Sequence, residues 1–163
     1  MIEVCGSLAS RAARSRLDLL LVLALLGVAI GGYLSWVALD DGAEAVCSGV
    51  GDCHAVQGSD YAEVAGIPVA LLGLAMYGGL AVLFATRRLG PWRAEPAAEP
   101  RVLPVWCFAL AISGVLFSAY LTYVELFVID AICIWCVASA VLITAIALLA
   151  APDLRERERS TQL

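Results

Sequence analysis

Ala131-Ile-Cys133-Ile-Trp135-Cys136-Val-Ala-Ser139-Ala140-Val-Leu-Ile-Thr-Ala-Ile-Ala-Leu-Leu-Ala-Ala-Pro152 contains no Asp, Glu, Lys or Arg. A helix needs roughly 20 apolar residues to cross about 30 Å of hydrocarbon, and this stretch is long enough. Two cysteines stand three apart at its head. On a helix, residues i and i+3 share a face, so both sulfurs would sit together at an N-terminus, where free N–H groups stabilise a thiolate. That is a redox geometry; the plainer alternative is two small apolar residues packed in a membrane bundle.

Working outward, three more stretches carry no charge: Leu19 to Leu39, Ala65 to Thr86 and Val102 to Val124. The composition, 62% hydrophobic and 15% charged over 163 residues, is more apolar than a water-soluble domain of this size can hide. The expected fold is therefore all-α, a four-transmembrane-helix bundle. An open sheet would leave unpaired edges in lipid, and nothing alternates like the strand of a barrel. The first span is too long in its uncharged core for a secretion signal and ends in no clear cleavage site, so it reads as a retained anchor.

The ten basic residues are all arginine and set the orientation. Arg11, Arg14 and Arg16 precede span one; Arg87, Arg88, Arg93 and Arg101 surround the link between spans two and three; Arg155, Arg157 and Arg159 follow span four. The opposite side has no arginine and carries Asp40, Asp41, Glu44, Asp52, Asp60, Glu63, Glu125 and Asp130. By the positive-inside rule both termini are cytoplasmic, in a protein expected to cross the cytoplasmic (inner) membrane. The net charge of −5 then reflects an acidic outer face and gives no reason to expect a nucleic-acid partner.

This topology divides the chain into a cytoplasmic lead (1–18), a four-helix domain (19–152) with an outer loop (40–66) and a cytoplasmic linker (87–103), and a charged tail (153–163). It also sorts the cysteines. Cys5 and Cys107 fall toward the cytoplasm and are expected to be inert, whereas Cys47, Cys53, Cys133 and Cys136 lie outside, where disulfides persist. Cys47-Ser-Gly-Val-Gly-Asp-Cys53 is either a staple closing a small loop or, with its two glycines, an arm that swings a thiol toward another site. His54 could hold the neighbouring Cys53 thiol deprotonated, or could simply be solvated. Ser59 to Ala65 reads as a short half-helix on the outer surface, with Ser59 as N-cap, Gly66 ending it and Pro68 starting span two. Gly27 with Gly31, and Gly114 with Ser118, have the spacing of close helix packing. Asp130 is expected to open span four.

Beyond these residues the chain resembles the vitamin K epoxide reductase family, specifically its bacterial homologues. The resemblance rests on Cys47 and Cys53 in the first outer loop, Ser59, Gly66-Ile67-Pro68 with Gly73 and Tyr77, and Tyr120-Leu-Thr-Tyr123-Val-Glu125 ahead of Cys133-Ile-Trp-Cys136. The order, loop pair first and CxxC in the last helix, is the reverse of that in the DsbB type of four-span thiol oxidase. The resemblance implies an electron relay. Cys133 and Cys136 would be the active-site pair beside a membrane quinone, menaquinone or ubiquinone, with Cys136 the member contacting it. Cys47 and Cys53 would bring electrons from a thioredoxin-like, DsbA-like partner. Ser59, Pro68, Tyr77, Trp135 and Ala140 would bind the quinone. Many bacterial relatives carry a thioredoxin-like domain after span four; this chain ends at Leu163, so the partner is expected to be a separate extracytoplasmic protein. Vertebrate members have a tyrosine where Ala140 stands, which favours quinone over vitamin K epoxide as substrate.

Two other functions fit parts of the pattern. Four outer cysteines could bind a structural zinc ion, although an oxidising compartment favours disulfides and no metal is expected. A four-span transporter subunit with structural disulfides is the alternative function, but charges inside the spans usually mark a transport path, and the expected spans have none.

Overall fold

The computed structural model describes residues 2–40, 45–47, 52–90, 99–100 and 102–161, with the side chains of 14–153 among them. In chain order the elements are α1 (Ile2–Leu39), α2 (Cys53–Gln57), a 3-10 turn (Asp60–Ala62), β1 (Glu63–Val64), β2 (Ile67–Pro68), α3 (Val69–Leu89), α4 (Val102–Val124), a π-helical turn (Glu125–Ile129) and α5 (Ile134–Thr161). Four segments are long and apolar enough to cross a membrane: Arg14–Leu39, Val69–Leu89, Val102–Ile129 and Ile134–Asp153. The protein is an all-α four-helix membrane bundle, with a loop and short helical turns between the first and second spans.

Each helix turns a narrow stripe inward at helical spacing. Leu20 and Ala24 of α1, Tyr77, Leu80 and Phe84 of α3, Cys107 and Ala111 of α4, and Ile143 and Ile146 of α5 form one buried core. Lipid is as apolar as leucine, so close fit between helices must hold such a bundle together where the hydrophobic effect does not. Small residues provide that fit. A Cβ added at Gly27 would overlap the Tyr77 ring, and one at Gly31 would lie 3.0 Å from Leu74 Cα, so α1 and α3 pack closely along this stripe. Gly114 does the same on α4, where a Cβ would meet Met76 Sδ and stand 2.7 Å from Ile143 Cγ1.

The end of the bundle that bears the arginines is closed by ion pairs. Arg87 Nε donates to Glu99 Oε1 at 2.6 Å, and its Nη1 lies 2.8 Å from Asp153 Oδ2. That second contact is an ion pair by distance, not an aligned hydrogen bond. Arg16 Nη1 donates to Asp153 Oδ1 at 3.0 Å, and Arg88 Nε pairs with Asp18. The group joins α1, α3, α5 and the segment leading into α4, so Glu99, in a linker whose sequence shows no chemistry, has a structural partner.

Three local expectations are corrected. The half-helix expected over 59–65 is replaced by two shorter turns, Cys53–Gln57 and Asp60–Ala62, and by a hairpin pairing Glu63 with Pro68 and Val64 with Ile67. Ala65 and Gly66 both have positive φ, 55° and 78°, as a two-residue hairpin turn of the primed kind requires. Ser59 does not cap with its side chain; its Oγ donates back to Val56 O at 2.7 Å. Span two begins at Val69 with Pro68 in the N-cap position, in line with the expected start at Pro68. Asp130 does not open span four: it takes a left-handed conformation (φ 54°, ψ 36°) and its N–H bonds the Glu125 carbonyl, closing the wide turn that ends span three. Finally, α1 begins at Ile2 and α5 continues through Pro152 to Thr161, so both spans extend as helices into the segments read as lead and tail.

A candidate redox site at the loop end of the bundle

Cys133 occupies the N-cap position of α5. Its carbonyl accepts the first helical bond, from Val137 N–H at 3.1 Å. Its sulfur meets the helix head from the other direction, accepting from the Cys136 thiol and from the backbone N–H groups of Cys136 and Trp135. An N-cap side chain normally satisfies these early N–H groups with oxygen; here a sulfur does so. The hydrogen bond from Cys136 is the largest influence, burial opposes it, and the two backbone N–H groups add to the lowering, so the Cys133 thiol is drawn below its ordinary value.

Cys47 and Cys53 are joined in a disulfide, with Cα atoms 6.3 Å apart. Cys53 is the first residue of α2, a turn capped by Asp52, whose Oδ1 accepts from Ala55 N–H at 3.0 Å. The residues between the two cysteines that carry the glycines, 48–51, lie outside the described residues. Cys53 and Cys133 are both buried in one cluster with Val37, Ala45 and Val56, and Cys47, Cys136, Tyr33 and Trp135 pack against it. The disulfide and the CxxC pair thus meet in a single apolar environment. Tyr33 and Trp135 hold the strand beside Cys47: Tyr33 Oη accepts from Val46 N–H at 2.9 Å, and Trp135 Nε1–H donates to Val46 O at 3.1 Å. The two rings lie 5.1 Å apart between centroids.

Below the cluster is a cavity of about 750 Å³, within the range of sites that bury a small organic molecule. Its walls combine apolar side chains, with Leu34, Met76 and Phe117 among them, and polar ones, with Asp40, His54 and Glu63 beside the loop and Ser59, Tyr77, Glu125, Cys136 and Ser139 at the walls used below. Tyr77 Oη donates to the Ser139 carbonyl at 2.7 Å and lies 3.1 Å from Ser139 Oγ. A flat apolar ring with two carbonyl oxygens suits this mixture of apolar surface and polar groups.

The cavity includes three of the residues expected to hold a quinone, Ser59, Pro68 and Tyr77, and it includes Cys136 but not Cys133. Trp135 and Ala140 are not on its wall. A helix turns by about 100° per residue, so the face of α5 that presents Cys136 and Ser139 leaves Trp135 turned to the loop and Ala140 on the flank. His54 lines the cavity next to Cys53. Cys107 lies far from this group, buried beside Arg87 in the core; the side chain of Cys5 lies outside the described residues.

Two residues at the site were not expected there. Ser139 follows Cys136 by three, a spacing that could have placed it on the same face. Glu125 was counted as an outer acid, and the span interiors as free of charge. In fact the third span runs on through the π-helical turn, and Glu125 is only 3% exposed. Its Oε2 accepts from Cys133 N–H at 3.4 Å and its carboxylate lies within hydrogen-bonding reach of Cys136 Sγ. The signal available was its place in the stretch that precedes the CxxC.

The chain belongs to the vitamin K epoxide reductase family, whose model matches residues 19–151. Family membership makes it a membrane oxidoreductase acting between thiols and quinones, and a multi-pass membrane protein by its four spans.

Proposed function

We propose that this family member reoxidises a separate thioredoxin-like, DsbA-like protein and reduces a membrane quinone, so that disulfides form outside the cytoplasm. In this reading it spans the cytoplasmic (inner) membrane with both termini inside and the four cysteines of the site outside. The observation that carries the proposal is the shared burial of Cys53 and Cys133, with Cys136 opening from the same cluster onto the cavity.

The steps follow from which sulfur is exposed and which is not. Cys47 is partly exposed, and Cys53 is buried. A thiolate of the reduced partner attacks the Cys47 sulfur, forming a mixed disulfide and releasing Cys53 as the leaving thiolate. The partner's second thiol then resolves that bond, so the partner leaves oxidised and the loop pair is left as two thiols. When the CxxC pair is a disulfide, the Cys53 thiolate attacks Cys133, its neighbour in the cluster, and Cys136 leaves. Cys47 then resolves the Cys53–Cys133 bond. Two electrons have moved from the loop to the CxxC pair. Completion of this transfer leaves the loop pair joined and Cys133 and Cys136 as thiols.

A quinone bound in the cavity would supply a two-electron, two-proton acceptor. Ser59, Tyr77 and Ser139 line the cavity; with the hydroxyls of Ser59 and Tyr77 turned from the carbonyls they bond, Val56 O and Ser139 O, these residues would orient its oxygens, Pro68 and the apolar wall would hold its ring, and Cys136 would face it. The direction agrees with redox potentials: a DsbA-like partner near about −120 mV is a strong oxidant, and only a more oxidising acceptor, such as a quinone, can regenerate it.

The test is the redox state of a secreted two-cysteine protein in cells whose only thiol oxidase is this one. With Cys136→Ala the secreted protein should accumulate with free thiols; if it stays fully oxidised, the proposal is wrong.

A further inference from the structure

Glu125 is the one buried carboxylic acid among the described residues, and it lies in a membrane-crossing segment. Acids at such depth are costly and usually have a function. No described arginine reaches it: Arg14, Arg16, Arg87 and Arg88 lie toward the other end of the bundle. Its partners are instead the two reacting residues, Cys133 through N–H and Cys136 through sulfur. It also lines the cavity that Cys136 faces. The wide turn Glu125–Ile129 fixes this placement, since the Glu125 carbonyl accepts from both Asp130 N–H and Ala131 N–H, the latter at 3.0 Å. Such π-helical turns occur frequently at functional sites.

We propose that Glu125 carries a proton for the sulfur chemistry, taking it from the Cys136 thiol as the CxxC pair is oxidised and delivering it into the cavity. The inference rests on the thiol–quinone reading above. Oxidation of the pair breaks two S–H bonds, forms the Cys133–Cys136 bond and releases two electrons and two protons. The electrons go to the quinone, whose two oxygens take up two protons. Cys133, buried at the N-cap, is held as thiolate by the helix head, its proton released in that ionisation. Cys136 packs against the apolar cluster and lines the cavity with Glu125, so its proton passes to the carboxylate and from there to an acceptor oxygen in the cavity. The second proton taken up by the acceptor comes from water at the loop end. Glu125 returns to carboxylate once its proton is delivered.

Other ionisable groups face this carboxylate. Cys133 and Cys136 approach from α5, Asp52 and Asp130 share a surface recess with it, and Asp40, His54, Glu63 and Tyr77 line the same cavity. Among the described residues, Cys133 N–H donates to it and Cys136 Sγ is the thiol that interacts with it. A simpler role would be to cap α5 through Cys133 N–H. A glutamine at 125 caps equally well through its amide oxygen but carries no proton, and this separates the two roles.

The experiment uses full-length protein with Cys47→Ala and Cys53→Ala, so that only the CxxC pair reacts, and compares Glu125, Glu125→Gln and Glu125→Asp. The prereduced protein is mixed with a short-chain quinone, and its single-turnover rate is followed against pH. Separately, the infrared difference spectrum of the prereduced protein between neutral and low pH is recorded in the protonated-carboxyl region. Glu125→Gln should slow quinone reduction about 100-fold, the scale of general acid–base catalysis, and change the low-pH limb of the profile, leaving only the loss set by Cys133. Glu125→Asp should restore part of both. Acidification should produce a carboxyl band that is absent in Glu125→Gln and shifted in Glu125→Asp. A Glu125→Gln protein with the unaltered rate overturns the proposal, as does one that is slow with an unaltered pH profile, or a carboxyl region that Glu125→Gln leaves unaltered. If Glu125→Gln does not fold, the aspartate variant and the infrared band decide. A protein that shows the band yet never reduces quinone contradicts the quinone reading and leaves the proton role of Glu125 standing.

Discussion

At the residue scale the account turns on Cys133, a sulfur serving as the N-cap of a helix. Its lowered ionisation follows first from the Cys136 hydrogen bond and then from two backbone N–H groups, so it depends on its neighbour. Alkylation of Cys133 by a small neutral reagent, read by mass spectrometry, should show a midpoint below the ordinary thiol value of about 8.5, the direction set by its hydrogen bonds. Below the midpoint the thiol form prevails and the rate falls. Replacing Cys136 by alanine removes the largest contribution, and the midpoint should move upward. An unchanged midpoint in that variant would show that the helix head alone sets the ionisation. The CxxC spacing already made this arrangement readable, because i and i+3 must share a face. The carboxylate of Glu125 was not readable: its burial depends on the helix widening into a π-helical turn, which no local propensity announces.

At the scale of single elements, glycine stripes govern how the helices meet. Gly27 against the Tyr77 ring is the tightest case, and Tyr77 in turn bonds Ser139 on α5. Gly27→Val should therefore disturb more than the α1–α3 contact. Overpacking of this kind costs about 1–3 kcal/mol, and the variant should melt earlier in detergent and lose part of its quinone-reducing rate through the displaced Tyr77. A variant with unaltered melting would contradict the close packing. The four spans themselves were legible to within a few residues, since unbroken apolar length is a strong signal. The connection between spans one and two was legible only in outline. Ser59, Asp60 and Glu63 imitate a capping box, yet Ala65-Gly66 takes a hairpin turn that lacks the usual Asn-Gly or Asp-Gly marker. The continuation of α5 through Pro152 was hidden for a related reason, because a proline argues locally for a helix end.

For the molecule as a whole, two ends do different work. One is tied by the buried side chain of Arg87 between Glu99 and Asp153. Arg87→Met should leave both acids without their shared partner, at a cost of about 3–5 kcal/mol for a broken buried pair. We expect a lower melting temperature in detergent while the Cys47–Cys53 disulfide still forms; equal stability would show that the ion pairs are ornamental. Arginine positions made the polarity of the bundle legible, but which arginine meets which acid depends on helix rotation and could not be read. The other end gathers four sulfurs, and their order along the chain suggested a relay without showing which two touch. Cys53 and Cys133 share one buried cluster, and in the proposed relay these two exchange. The most direct test is a protein with Cys47→Ala and Cys136→Ala, purified in detergent, mildly oxidised and digested without reduction. Intramolecular linkage of the Cys53 and Cys133 peptides in nearly every molecule is the expected result. Two thiols that both remain open to alkylation, or that link only between molecules, would contradict it.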